Sequence, residues 1–497
     1  MVSFTRGAIL KCVFNRWLLT GCCLRNLLLS ALLMNSVLPV LAVETQPERM
    51  IVLTDIEADP DDTQTLVRLM LYANVIDIKG LVATTSVHQK RRIAPESIRK
   101  VIQAYGKVQK NLNRHESGFP TEKHLLSLVK KGSPAYGMEG VGDGKDTEGS
   151  DWIIRELQAP DARPLWVSIW GGANTLAQAL HRLKATKSEV ELKQLTSKLR
   201  VYSISDQDDT GFWIRKNFPD IFYVVSPGGY GAATWTGINH VVDGIDNTSI
   251  SNSWLTTHIQ QGHGPLGAIY PDVAYGVEGD TPAWLSLIPN GLNVAEQPNW
   301  GGWGGRYELY IPKRADTDPE GFNGGIPVEQ EIRPIWTNAS DNYTPPMAAD
   351  YGRATRNGEK SFQGYRTSLW RWRDDFQADF AARMDWTIKD YAEANHPPKV
   401  ALTHEKNIRV KSGQYFSLDA SASSDPDGDS ISYYWFVYPE ASGFNGKVKI
   451  DTENLAKINM VAPKVDKEQV LHVIVRVTDK GSPALSRYQR VLVTLEP

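Results

Sequence analysis

The chain is predicted to be an α/β protein with a mostly parallel, Rossmann-like open sheet, followed by a small all-β sandwich. Three observations carry this. Strand-length apolar runs alternate with segments of helical spacing, as in "RMIVLTDIEADPDDTQTLVRLMLYANVIDIKGLVATTS" from Arg49 to Ser86. The alternation recurs in "RPLWVSIWGGANTLAQALHRLKA" and in "LRVYSISDQDDTGFWIRKNFPDIFYVV". Beyond His396 the apolar period becomes two, in "QYFSLDAS", "ISYYWFVYP", "VLHVIVRVTD" and "YQRVLVTLEP". At 497 residues the chain is also too long for one ordinary core.

Taken in order, the N-terminus reads as a secretory signal over residues 1–42. Arg6, Lys11, Arg16 and Arg25 form a long basic region, and "NLLLSALLMNSVLPVLA" is almost wholly apolar up to Ala42. An uncleaved anchor is the alternative, because the apolar stretch is near the lower length limit for spanning a bilayer. The expected location is periplasmic or secreted, with no stable membrane insertion after cleavage. All three cysteines, Cys12, Cys22 and Cys23, lie in this segment. A mature chain without cysteine excludes a disulfide framework, a thiolate metal site and a thiol nucleophile. Net charge is −3, so no basic excess supports nucleic-acid binding.

Residues 43–396 form the expected α/β domain. Met50–Thr54 and Ile78–Thr84 read as strands, and Leu66, Leu69, Met70 and Ala73 give the helix between them. From about Trp235 to Trp370 periodicity fades and Gly, Pro and Trp accumulate, which reads as long ordered loops around a site. "SLWRWRDDFQADFAARMDWTIKDYAEAN" reads as one long helix closing the domain. Pro397 and Pro398 then stop the helix and stiffen a linker to the sandwich, residues 397–497. The sandwich is expected to be an accessory module that folds alone, with the chemistry wholly upstream.

The densest chemical signal is "LTDIEADPDD", Leu53–Asp62, in which five of ten residues are acidic directly behind an apolar strand. Carboxylates so placed repel one another and are costly to bury unpaired, so a cation is the natural partner. Oxygen-only donors suit a hard ion such as Ca²⁺. A solvated turn with a helix N-cap is the alternative. In a parallel sheet, ligands gather at the carboxyl ends of strands. "GGANT" and "SDQDDTG" fall at such ends too, and mark Asp206 and Asp209 either as site residues or as a turn and cap.

Asp55-x-Glu57-x-x-x-Asp61-Asp62 resembles the D-x-D-x-x-x-D-D signature of the nucleoside hydrolases. "YGMEGVG", "GGANTLAQAL" and "EGDTPAWL" are similar to later stretches of that family, in the right order. "SISDQDDTG", "YPDVAYGVEGDTP" and "LIPNGLN…WGGWGGRYE" look like an exported bacterial branch that carries a C-terminal immunoglobulin-like domain, often labelled cellulose-binding. The resemblance implies a Ca²⁺ site that holds sugar hydroxyls and a water. Asp62 would be the principal ligand, Asp280 would close the shell, and Asn174 would offer its backbone carbonyl. Asp61 would grip a sugar hydroxyl, Glu57 would bind metal and deprotonate water, and Asp55 would support them.

The sequence departs from that family in three places, the first being Glu57, one methylene longer than the family's aspartate. Gly279 stands where the family has His, and "ATTSVHQK" replaces T-T-V-x-G-N, which points away from ordinary nucleosides. His263 in "GHGPLG" is then the general-acid candidate, against a structural role. Trp300 and Trp303 either stack on a sugar or anchor a loop. In the sandwich, "DASASSDPDGDSISYYW" resembles polycystic-kidney-disease and cadherin-like modules, which sets Asp425, Asp427 and Asp429 as a rim cation site or a polar turn. The expected partner is a carbohydrate or a nucleoside-like small molecule, extending to a polysaccharide. The expected activity is calcium-dependent hydrolysis of a glycosidic bond; the alternative is a non-catalytic carbohydrate-binding protein using the same cleft. A phosphohydrolase is disfavoured, since no glycine-rich phosphate loop accompanies the acids.

Overall fold

The computed structural model of the protein describes residues 46–228, 234–317, 326, 329–346 and 360–497. The signal segment lies outside them. Among the described residues no helix is long and apolar enough to cross a membrane.

Eight strands form the main sheet: β1 (Glu48–Thr54), β2 (Ile76–Ala83), β3 (Val129–Lys131), β4 (Leu165–Ile169), β5 (Leu199–Ser203), β6 (Phe222–Val225), β7 (Tyr307–Tyr310) and β8 (Ile335–Asn338). Their order is β3-β2-β1-β4-β5-β6-β8-β7. All neighbours run parallel except β7, which pairs antiparallel with β8 at the edge. The expected α/β class with a mostly parallel open sheet is the observed one.

β1 shows why its sequence is continuously apolar. Met50 and Val52 enter the core on one face of the sheet, and Ile51 and Leu53 enter the core on the other. Between β1 and β2 lies helix α1 (Asp61–Met70), with Asp61 and Asp62 in its first turn, where the helix dipole favours negative charge. The strand order reverses beside β1, with β2 on one side and β4 on the other, so the acidic turn after β1 sits at the switch point of the sheet.

The C-terminal strands Asn407–Lys411, Ser486–Glu496, Gln469–Asp479 and Ile431–Val437 form one sheet in that order, and Tyr415–Asp419 pairs with Lys457–Val461 in a second. Trp435 packs between them. The expectation of a separable module meets a different arrangement. Pro47–Pro497 is one compact unit, and Tyr438, Ile474 and Tyr488 of the sandwich belong to the main core. Backbone bonds cross the junction from Tyr488 N–H to Asn290 (2.9 Å) and from Arg490 N–H to Gly291 (3.2 Å). Trp372 stands edge-on to Tyr438 and Tyr488.

The expected single closing helix is broken. A short turn at Thr367–Trp370 precedes a helix at Arg373–Asp385, capped at Trp372. Arg373, Asp375, Asp379 and Arg383 of that helix are all buried: the sandwich covers Asp375 and Asp379, while Arg373 meets the loop at 238–247 and Arg383 meets Leu71, Asn74 and Glu116. Asp379 accepts from Arg487 Nη1 of the sandwich (2.7 Å) and from Tyr72 Oη, just beyond α1 (2.6 Å). The helix thereby ties the sandwich to the start of the sheet.

Asp379→Ala removes a buried acid from Arg487, Arg383 and Tyr72 at once. The expected loss is about 3–5 kcal/mol of stability, read from urea denaturation of the full chain. Truncation after Asn395 is expected to give insoluble or unfolded protein by circular dichroism; a soluble, cooperatively folded fragment would show that the shared core is dispensable.

Candidate functional site

The turn after β1 determines where each acid points. Thr54 Oγ1 donates to Asp62 and accepts from the Ile56 amide (3.1 Å). The Ala58 amide closes the turn on the Asp55 carbonyl (2.9 Å), and the Asp61 amide binds Asp59 Oδ1 (2.9 Å). Glu57 sits at φ +81°, a left-handed conformation a non-glycine residue seldom adopts. That twist sends its side chain out of the turn to Ser97 Oγ and Arg92. The hydrogen bond from Ser97, helped by Arg92, holds the Glu57 carboxyl below its ordinary range.

A cavity of about 510 Å³ opens over this turn, walled by Asp55, Asp59, Asp61, Asp62 and Asp280 and by Trp170, Trp235, Tyr275, His88 and Gln207. Carboxylate oxygens of Asp59, Asp61 and Asp62 lie within 4.8 Å of one another. Asp280 arrives from a distant loop clamped onto α1. Gln64 accepts the Glu278 amide (2.9 Å), Thr281 bonds Thr65 (3.0 Å), and Arg68 pairs with the buried Glu278 (2.5 Å). Gly279 is required there, since a Cβ would stand 2.1 Å from Trp235 Nε1 and 2.5 Å from Asp61 Oδ2. The position therefore has no room for the family's histidine.

Burial, then mutual repulsion, pushes Asp61, Asp62 and Asp280 well above the usual carboxylate range. Asp55 is pushed up to about 7, first by desolvation and then by the charges of Asp59 and Asp208. The Trp235 indole donates to Asp61 Oδ2 (2.6 Å), but Asp280 Oδ2 is buried without any hydrogen-bond donor. Buried Arg68 of α1 is committed to Glu278 and Gln377. An all-oxygen donor set, with one oxygen orphaned and its negative charges uncompensated, fits a hard divalent cation.

The sequence assignments fare unevenly. Asp55, Asp61, Asp62 and Asp280 do converge. Glu57, expected as ligand and base, does not line the cavity, and the third close carboxylate is Asp59, which the family pattern leaves unmarked. His263 is a correction: its Nε2 bonds Asp385 (3.1 Å) beneath the Arg373–Asp385 helix, away from the cavity. Asp206 forms a two-pronged pair with buried Arg215, and Asp209 accepts the Met138 amide (2.8 Å), so neither faces a ligand. Their neighbours Gln207 and Asp208 approach the site instead. Gln207 holds the Trp170 carbonyl (2.6 Å), and Asp208 is buried against Gly172, its carboxyl raised to about 6 by desolvation. Asn174 braces Thr85 and the Ala135 carbonyl through its side chain.

Trp300 and Trp303 are corrections as well. Trp300 packs edge-on to His472, and Trp303 is fully buried against Phe376 and Tyr488, so both anchor the junction with the sandwich. The cavity aromatics are Trp170, Trp235 and Tyr275. Trp170 was legible as a residue at the end of β4; Trp235 and Tyr275 sit in aperiodic loops without a local signal.

Sheet order, switch-point acids and the clamped Asp280 loop define a nucleoside-hydrolase-like α/β domain. A family model described as "Cellulose-binding Sde182, nucleoside hydrolase-like domain" matches residues 49–307, and one described as "Cellulose-binding protein Sde0182, C-terminal domain" matches residues 415–495. The chain belongs to this family. A nucleoside hydrolase-related hypothetical protein from Saccharophagus degradans, described as associated with carbohydrate metabolism, is 34% identical over 90% of this chain and 100% of its own, with a TM-score of 0.74. The PKD domain from KIAA 1837 protein matches at 20% identity over 20% of this chain and 89% of its own, with a TM-score of 0.16. The effector protein XOO4466 matches at 12% identity over 59% of this chain and 87% of its own, with a TM-score of 0.28. No curated protein matches the chain.

The raised acids set a pH dependence. Asp55 moves from an ordinary 3.8 to about 7 on folding. Between those values the native state keeps a proton that the unfolded chain has lost, so stability falls as pH rises through that window. Calcium-free protein is therefore expected to melt at a lower temperature at pH 7.5 than at pH 5, with calcium reversing the trend. A calorimetric scan at both pH values, with and without chelator, reads it.

Proposed function

We propose that the protein is an exported, calcium-dependent hydrolase of glycosidic bonds in a sugar-containing substrate. The observation that carries this reading is the convergence of five aspartates in an aromatic-walled cavity that no Lys or Arg lines among the described residues. Asp59, Asp61, Asp62 and Asp280 would hold the cation. Bound there, calcium would polarise sugar hydroxyls and lower the pKa of a water. Trp235 fixes Asp61 through its indole N–H. Asp55, raised toward neutrality and facing the same space, is the group to accept the water's proton. Trp170 and Tyr275 offer apolar faces of the kind that pack on sugar rings.

A second reading, carbohydrate binding without turnover, is favoured by two specific features. Glu57 is drawn out of the cavity by Arg92 and Ser97, and Gly279 has no space for an acid beside the leaving group. The family descriptions, which speak of cellulose binding, agree with either reading.

A panel of aryl glycosides, nucleosides and cello-oligosaccharides, assayed with calcium and with chelator, separates them. The first reading expects calcium-dependent release that falls about 100-fold or more in Asp55→Asn, with ligand binding retained. Binding without release across the panel would leave the second. Asp62→Asn is expected to weaken calcium affinity by about 100-fold, while Glu57→Gln changes it by less than about threefold, both by calorimetry.

A further inference from the structure

A second set of buried oxygens lies far along the chain, where the linker meets the sandwich. Asn395 ends the α/β part, Asp425 lies in the loop after Tyr415–Asp419, and Asp479 ends the Gln469–Asp479 strand. Each contributes a buried side-chain oxygen with no hydrogen-bond partner: Asn395 Oδ1, Asp425 Oδ2 and Asp479 Oδ2. Asn395 and Asp479 are only 6% and 2% exposed.

Asn395 and Asp479 are bonded directly, and the loop of Asp425 is tied to the linker through Asp427. Asn395 Nδ2 donates to Asp479 Oδ1 (3.1 Å) and to the Pro483 carbonyl (2.8 Å), which orients the amide and turns its oxygen the other way. Asp479 Oδ1 also accepts the Gly481 and Leu485 amides, both at 3.0 Å. Asp425 Oδ1 accepts the Asp427 and Asp429 amides (2.9 and 3.1 Å). Asp427 returns to the linker, where it takes the His396 amide (2.7 Å) and ring Nδ1 (2.9 Å). The amide donors are thus spent on Asp425 Oδ1 and Asp479 Oδ1, while Asp425 Oδ2, Asp479 Oδ2 and the single amide oxygen of Asn395 stay buried without a partner.

Leaving one such acceptor buried and unmet costs free energy; three on neighbouring segments is a pattern that a cation resolves. Burial raises the Asp479 carboxyl to about 6, and the charge of Asp425 adds to it, so the two acids sense each other and no cation dominates there. A groove lined by Asn395, Asp427, Asp429 and Gly481 opens beside these residues.

We infer that Asn395, Asp425 and Asp479 form a second divalent-cation site, of hard-oxygen type suited to calcium, that fastens the linker to the sandwich. Two carboxylates and one amide oxygen give a charge of −2, and backbone carbonyls and water complete such shells. The site is separate from the acidic cavity and does not depend on the activity proposed for it.

The test uses the full chain with the cavity disabled by Asp62→Asn and Asp280→Asn, stripped of metal and titrated with CaCl2 in a calorimeter. One remaining equivalent of calcium is expected, and a higher melting temperature on binding. Adding Asp425→Asn keeps the oxygen that caps the loop but turns an amide N–H₂ inward, and is expected to weaken the remaining site at least tenfold. Asp479→Asn should do the same, and circular dichroism without calcium checks that both variants fold. Terbium offered in place of calcium should luminesce on excitation of Trp386 and Tyr391, which stack on His396 beside the site. No residual equivalent, or one that neither substitution weakens, would overturn the assignment.

Discussion

The structure is organised around a charge imbalance. Asp55, Asp61, Asp62 and Asp280 are buried together at the carboxyl end of the central strands, and Asp59 joins them at the wall. Buried Arg68 of the adjoining helix is spent on Glu278. Carboxylates in that state must either keep their protons or share a metal ion, and the raised values of all four express the first state. Much of the surrounding architecture keeps these acids from separating. Gln64, Thr65 and Arg68 of α1 fasten the loop that carries Asp280, while Thr54 and Trp235 hold Asp62 and Asp61 by direct hydrogen bonds.

The restraint extends beyond the cavity. Arg68 of α1 reaches Gln377, and Tyr72 just after α1 reaches Asp379, both on the buried helix at Arg373–Asp385. That helix gives Asp375 to Tyr488, Arg476 and Ser486, and Asp379 to Arg487, all from the sandwich. The β-sandwich is therefore mechanically continuous with the helix that starts at the acidic turn. Buried ion pairs of this kind add little net stability over apolar packing, but they are costly to break singly, and they specify one docking orientation. The aromatic residues at the junction, Trp303, Trp372, Tyr438 and Tyr488, supply the apolar part of the same contact. Asp341 adds a third charged anchor, taking Arg306, Arg371 and the Tyr438 hydroxyl.

Two departures from the nucleoside hydrolase pattern have local physical causes. Glu57 occupies a left-handed turn position, and its longer side chain finds Ser97 and Arg92 outside the cavity. Gly279 is packed against Trp235 and Asp61, so an aromatic donor to Asp61 takes the space of the family's histidine. Together they leave an indole and an added aspartate among the polar groups of the acidic cavity. The fold is shared with its relative, while the residues at these two positions depart from the nucleoside hydrolase signature.

The fold class, a site at the carboxyl ends of the parallel strands and the acids Asp55, Asp61 and Asp62 were legible in local patterns: alternating apolar periods, and carboxylates that follow a doubly buried strand. Asp280, on a distant loop, was marked only by the family resemblance. What the tertiary structure decided was the direction of side chains and the fate of the aperiodic stretches. No local rule turns Glu57 outward or brings Asp59 in, because a backbone torsion and two partners thirty-five and forty residues away do so. His263, Asp206, Trp300 and Trp303 carried the right chemical types, but their partners Asp385, Arg215, His472 and Tyr488 come from distant segments that claim them for packing. The sandwich looked independent for the same reason. Its strands are visible in period two, whereas the charged face that receives it, on a helix whose polar residues look solvated, exists only once both parts are folded.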